Sequence, residues 1–128
     1  MAAVGIYARI SLDRRDGEGV ARQLADCNEL ITGRWPDAQV IEYVDNDVSA
    51  FRAKRRPEYE RLLADLVARE ITAVVAYHPD RLYRHPKDLE SFIDAVRAAG
   101  ADVATVKAGA VDLSTASGRM IARILGDV

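Results

Sequence analysis

The chain has 128 residues, 49% of them hydrophobic, which is enough for one domain with a substantial core and lies outside the composition of disordered chains. Its formal net charge of −2 argues against a stand-alone nucleic-acid binder, because such domains usually carry a clear basic excess. The single cysteine, Cys27, excludes an internal disulfide framework and cysteine-rich metal sites, and no apolar run approaches the ~20 residues needed to cross a bilayer.

The N-terminus MAAVGIYARI has no basic segment followed by an apolar one, so no secretion signal is read and a cytoplasmic location is expected. Val4–Ile10 (VGIYARI) reads as a buried strand, and the polar stretch SLDRRDGEG over 11–19 as a loop. From Val20, the apolar residues Leu24, Cys27, Leu30 and Ile31 recur at helical spacing, and Cys27 falls on the core side of that helix. Gln39–Val44 (QVIEYV) predicts a second strand, and DNDVSAFRAKRRP over 45–57 a polar loop. Tyr59, Leu62, Leu63, Leu66 and Val67 then mark one face of a helix that Pro57 opens. Thr72–Tyr77 (TAVVAY) is the third strand. A helix with Leu89, Phe92, Ile93 and Val96 on one face follows, closed by Gly100 just past its end. Val103–Val106 is a short fourth strand, and the segment 114–128 reads as a helix with Met120, Ile121, Ile124 and Leu125 on one side.

Strands and helices alternate with short connections. That pattern predicts an α/β domain: a single, mainly parallel sheet of four to five strands with helices on both faces. In such sheets the ligand site lies beyond the carboxyl ends of the strands, where the first strand delivers Ser11 and the third delivers HPDRLYRHP.

Alternation along the first strand aims Tyr7, Arg9 and Ser11 to one side, and Ile6, Ala8 and Ile10 to the other. An arginine on a buried strand needs an anion. Spacing alone leaves open whether Arg9 finds an internal carboxylate, Asp45 or Asp80, or a bound phosphate. Ser11 alone is also the ordinary serine of a strand end. In Asp80-Arg81-Leu82-Tyr83-Arg84, a helical turn would set Arg81 and Arg84 on one face with Leu82 toward the core; a solvated turn with Asp80 pairing Arg81 is the competing reading. Arg52, Lys54, Arg55 and Arg56 form a basic run suited to a DNA backbone or simply to solvent.

Of the 18 basic residues 15 are arginine, a bias that suits bidentate phosphate contacts, although a GC-rich genome accounts for it at least as well. His78 and His85 have no partners at metal-ligand spacing, Asp45 with Asp47 is too sparse for a calcium loop, and GxGxxG and GxxxxGK[ST] are both missing. No metal and no cofactor are expected, which leaves an anion site built from arginines.

YARIS at 7–11, Gln23 in the first helix, Asp45, Arg56-Pro57 and DRLYR at 80–84 together resemble the catalytic domain of serine recombinases, the resolvase/invertase family. The terminal DLSTASGRMIARILGDV resembles the beginning of that family's long helix E, so the resemblance spans the chain. The stretch between Ser11 and Gln23 and the wording HPDRLYRHPKDLE are most similar to the large phage-type integrases, with a resolvase or invertase as the alternative.

The resemblance implies attack by the Ser11 hydroxyl on a DNA phosphodiester, giving a 5′-phosphoserine link and a free 3′-OH, then strand exchange and rejoining without a cofactor. Arg9, Arg81, Arg84 and Arg56 would hold the scissile phosphate with Asp80 in the same catalytic group, and Tyr7, Gln23 and Asp45 would support them. The general base stays open between Asp80 and a guanidinium. The resemblance also implies a bacterial or phage-encoded protein acting on double-stranded recombination sites, as a dimer on DNA and a tetramer in the synaptic complex, with no membrane partner. Met120, Ile121, Ile124 and Leu125 would lie at the subunit interface. Residues 1–128 would then be the catalytic domain, with 114–128 the beginning of helix E and the DNA-binding domains absent, which reconciles the charge of −2 with DNA chemistry. Two other readings compete: a non-catalytic doubly wound domain that holds a phosphorylated ligand, and a catalytically dead regulatory relative.

Overall fold

A computed structural model describes residues 3–10, 16–46, 57–78, 82, 86–107, 109–111 and 115–126. The elements run β1 (Ala3–Ile10), α1 (Asp16–Arg34), β2 (Gln39–Asn46), α2 (Pro57–Val67), β3 (Ala73–Ala76), α3 (Pro86–Ala99), β4 (Asp102–Thr105), β5 (Gly109–Val111) and α4 (Ala116–Gly126). They build one five-stranded sheet in the order β2-β1-β3-β4-β5. Four strands are parallel, and β5 turns back antiparallel to β4.

The central strands read as unbroken apolar runs because both faces are covered, and all four residues of β3 (AVVA) are buried. Val4, Ile6, Ala73 and Val75 pack under α1 through Cys27 and Ile31. On the other face Tyr7, Tyr43, Val74, Ala76 and Val103 meet Tyr59, Leu62 and Leu66 of α2 and Leu89, Phe92, Ile93 and Val96 of α3. Expectation and structure therefore agree on class, sheet and helices on both faces, and on the alternation of β1.

Four details differ. Helix α1 begins at Asp16, a turn earlier than the periodicity from Val20 suggests. Strand β2 runs on through Asp45 and Asn46, because they continue the register against Arg9 and Ile10. The three-residue β5 is too short to show any periodicity. Val67 is 61% exposed at the end of α2, whose buried face is Tyr59, Leu62 and Leu66 with Leu63 half-buried beside them.

Gly100, at φ 64°, ends α3 as expected: Ala101 N–H donates to the Val96 carbonyl (3.1 Å) and Gly100 N–H to that of Arg97 (3.2 Å). Gly5 is required for packing, since a Cβ there would lie 2.9 Å from Tyr43 Cε1, 3.0 Å from Ile71 Cδ1 and 3.1 Å from Leu62 Cδ1. The hydroxyl of Thr115 accepts the Gly118 N–H (3.0 Å) and so caps α4.

Candidate active site

The strand order changes direction between β1 and β3: the chain leaves β1 for β2 on one side and returns to β3 on the other. The crevice at that reversal, beyond the carboxyl ends of the strands, is where open parallel sheets place ligands. Strand β1 ends there at Ile10, one residue before Ser11. Its neighbour β3 ends there at Ala76, four residues before Asp80. Ser11, Asp80, Arg81 and Arg84 lie outside the described residues, as do Arg52, Lys54, Arg55, Arg56, Asp47 and His85.

What the described residues bring together is Tyr7, Arg9 and Asp45. Arg9 and Asp45 are register partners on adjacent parallel strands, so their side chains leave the same face side by side. Both are buried, Arg9 at 8% exposure and Asp45 at 2%. The Tyr7 hydroxyl donates to Asp45 Oδ2 at 2.8 Å. The same oxygen accepts the Tyr59 N–H at 3.0 Å, and Oδ1 accepts the Glu58 N–H at 2.9 Å.

Asp45 thus caps α2 from a neighbouring strand. Its carboxylate fills two of the helix's first free N–H groups and sits at the positive end of the helix dipole. Three donors on one carboxylate fix its orientation, and its strand position lies next to that of the buried Arg9. An internal carboxylate therefore stands next to Arg9, one of the two anions the sequence left open. A guanidinium has five N–H donors, more than one carboxylate can accept, so this position also suits a phosphate at the strand end. Sequence reasoning missed the cap: donor and acceptor lie 13 and 14 residues apart on different elements, and no local capping pattern connects them.

Gln23 is buried on α1, at 7% exposure, one helical turn before Cys27 and on the opposite sheet face from Arg9. Its Oε1 is enclosed with no hydrogen-bond partner among the described residues, an acceptor that asks for a donor from the adjoining segments. Leu82 is fully buried against the α2 and α3 side, on the core side where the sequence places it; Arg81 and Arg84, the other half of that reading, lie outside the described residues. Burying a leucine contributes about 1.5–3 kcal/mol, which holds Leu82 to the domain.

Other polar groups are occupied elsewhere. Arg61 forks onto Glu58 (3.0 and 2.8 Å), reaches the Glu42 carbonyl (3.2 Å) and covers the Tyr43 ring at 4.2 Å. Its hydrogen bonds hold the Glu58 carboxyl below the usual carboxylate range. Burial, with a smaller push from Asp26, drives the Cys27 thiol up to about 12, so it stays protonated and inert. His78 is exposed, and among the described residues no group of three or more His, Cys, Asp or Glu could hold a metal ion.

On α4, Met120 and Ile121 are 59% and 58% exposed, while Ala122 turns inward. Arg123 forks onto Glu90 of α3 at 2.7 and 2.8 Å. The side chains of Ile124 and Leu125 lie outside the described residues.

Comparison with known proteins agrees with this architecture. The chain resembles the N-terminal catalytic domain of TP901-1 integrase, with a TM-score of 0.69 and 23% identity over 98% of this chain and 92% of that one. It also resembles a resolvase-family site-specific recombinase from Streptococcus pneumoniae, with a TM-score of 0.69 and 14% identity over 97% of this chain and 86% of that one. At these identities the two structures speak to the fold alone. Comparison with curated proteins finds no match. The family described as the resolvase N-terminal domain matches residues 4–128, nearly the whole chain, and the protein belongs to that family.

Proposed function

We propose that this domain cuts and rejoins DNA, with Ser11 as the nucleophile. The Ser11 hydroxyl gives up its proton as its oxygen bonds to phosphorus, the bond from phosphorus to the 3′ oxygen breaks, and that oxygen takes up a proton and leaves as a free 3′-OH. The 5′ phosphate stays on Ser11 until a 3′-OH of the partner strand attacks it in the reverse reaction. One phosphoester replaces another at each step, so no external energy source is needed.

The observation that carries this reading is Arg9, buried at the carboxyl end of a central strand beside Asp45 and two residues before Ser11. Phosphoryl transfer depends on an aligned nucleophile and on positive charge placed where negative charge develops. Arg9 supplies such a charge on a strand held by packing on both faces. Arg81 and Arg84, flanking the anchored Leu82, and Arg56, just before the α2 start that Asp45 caps, would complete the phosphate site with Asp80. Gln23 would reach the same strand-end site from the other face of the sheet, and Arg52, Lys54 and Arg55 would meet the DNA backbone.

Residues 1–128 would form the catalytic domain, and the helix over 114–128 would take part in bringing subunits together on double-stranded recombination sites. The phage-type integrase branch is favoured over the resolvase and invertase branch by the sequence between Ser11 and Gln23. The protein would be bacterial or phage-encoded and cytoplasmic, and no helix among the described residues is long and apolar enough to cross a membrane.

The test is covalent capture on a nicked recombination-site DNA, using the protein that carries this domain. Wild type should form an adduct that maps to Ser11. Ser11→Ala should form none while binding the DNA with unchanged affinity, since groove and backbone contacts lie elsewhere. Reversible complexes alone from the wild type would favour a phosphate-binding module instead.

A further inference from the structure

The geometry points to Tyr59 as a positioning residue for the cleavage step, acting on Arg9 through Tyr7 and Asp45. This rests on the strand-cutting function proposed above. Tyr59 enters the sequence pattern only as an apolar position of α2, and at 5% exposure a core role would account for its burial.

Its contacts go further than the core. The Tyr59 N–H and the Tyr7 hydroxyl donate to the same oxygen, Asp45 Oδ2, at 3.0 and 2.8 Å. The two tyrosines also touch directly, with ring centroids 5.2 Å apart at 69°, an edge-to-face pair. Tyr7, Asp45 and Tyr59 therefore form a closed circuit through β1, β2 and the first turn of α2. On its far side the Tyr59 ring stacks on Phe92 of α3, with centroids 6.4 Å apart at 26°. The circuit is thereby braced against a second helix.

The circuit sets two things that matter to Arg9. The Tyr59 ring limits where the Tyr7 ring can swing, and hence where its hydroxyl holds the carboxylate. Asp45 in turn is the register partner of Arg9, so the two side chains leave neighbouring strands on the same face of the sheet. Without the Tyr59 ring, Tyr7 gains room to rotate and Asp45 loses one fixed donor, while the backbone contacts to α2 remain. Arg9 would then stay buried but its fork would be less well aimed. A small misplacement of a group that stabilises the transition state costs rate rather than affinity.

The experiment measures single-turnover adduct formation on saturating nicked site DNA, and DNA affinity separately, with the protein that carries this domain. Tyr59→Met, an unbranched side chain that fills the core without a ring, should slow adduct formation roughly 10- to 100-fold with DNA affinity unchanged. Tyr59→Phe, which keeps the ring, should restore the rate to within about twofold of wild type. Tyr7→Phe combined with Tyr59→Met should be no slower than the slower single variant, to within about twofold, because both act through one carboxylate.

A folded Tyr59→Met protein that cleaves at the wild-type rate would overturn the assignment. Multiplying effects in the double variant, or no rescue by Tyr59→Phe, would overturn it too. Tyr59→Leu serves as a second ring-less variant; if neither it nor Tyr59→Met folds, Tyr59 is a core residue and nothing more. Absence of any adduct from the wild type marks the separate failure of the cleavage function.

Discussion

Arg9 and Asp45 share one register position, yet they should respond differently to substitution. The two Asp45 oxygens accept three hydrogen bonds from β1 and α2. In Asp45→Asn one of those positions becomes an NH₂ group facing a donor, leaving a buried N–H or hydroxyl unsatisfied. A loss of about 1–3 kcal/mol is expected, read as a lower urea midpoint with an unchanged slope. An unchanged midpoint would mean that the cap contributes nothing. Arg9 should matter for rate instead. Arg9→Lys keeps the charge but loses the planar fork, so cleavage should fall by ~10²-fold or more while DNA affinity holds. Near-normal cleavage by Arg9→Lys would show that a point charge suffices. Much of this was legible beforehand: strand alternation alone puts Tyr7 and Arg9 on one face. Asp45 was among the partners that spacing left open for Arg9, but its polarity placed it in a loop rather than in β2. Only pairing with β1 keeps it in the strand.

The elements show the same division between what periodicity reveals and what packing decides. Long apolar repeats gave α1, α2 and α3 their faces, and continuous apolar runs gave the parallel strands. Polar extensions escaped. Asp16–Gly19 looks like a loop by composition, yet continues α1 for a further turn. Likewise β5, too short to show a period, pairs antiparallel with β4. The end of α2 was equally opaque, and it offers a test. Arg69 adopts φ 61°, a left-handed conformation that suits glycine, and its N–H closes on the Leu66 carbonyl at 3.0 Å while Glu70 N–H closes on Asp65 at 2.8 Å. The pattern matches the one at Gly100, but with a side chain that strains it. Arg69→Gly should therefore stabilise the domain by about 0.5–1 kcal/mol, seen as a higher melting temperature. A lower melting temperature would mean that the arginine side chain repays its strain through contacts of its own.

Two features of the whole molecule argue that it works only in company. Its net charge of −2 is a poor match for a polyanion, so affinity for DNA should come from outside this domain. Helix α4, meanwhile, is turned so that Ala122 meets the core and Met120 and Ile121 face outward, with Arg123 locked to Glu90 on the neighbouring helix. An apolar stripe on a surface helix ordinarily packs on its own sheet. For Met120 and Ile121 it does not, and the reason is visible in the clamp: one turn of the helix spends its inward position on a small residue. Two large exposed side chains on one helix are too little surface for a stable dimer by themselves, since specific interfaces bury about 1,200–2,000 Å² in total. The 128-residue chain should therefore sediment as a monomer or a weak dimer and bind DNA feebly. In the protein that carries this domain, the same residues should sit inside a larger subunit contact. Replacing them together, Met120→Lys with Ile121→Glu, places two charges there and should shift that protein toward monomer in sedimentation velocity. Thermal stability of the isolated domain should barely change, because neither side chain is part of its core. Recombination should be lost with the assembly. Self-association and recombination that both survive the double substitution would remove α4 from the interface.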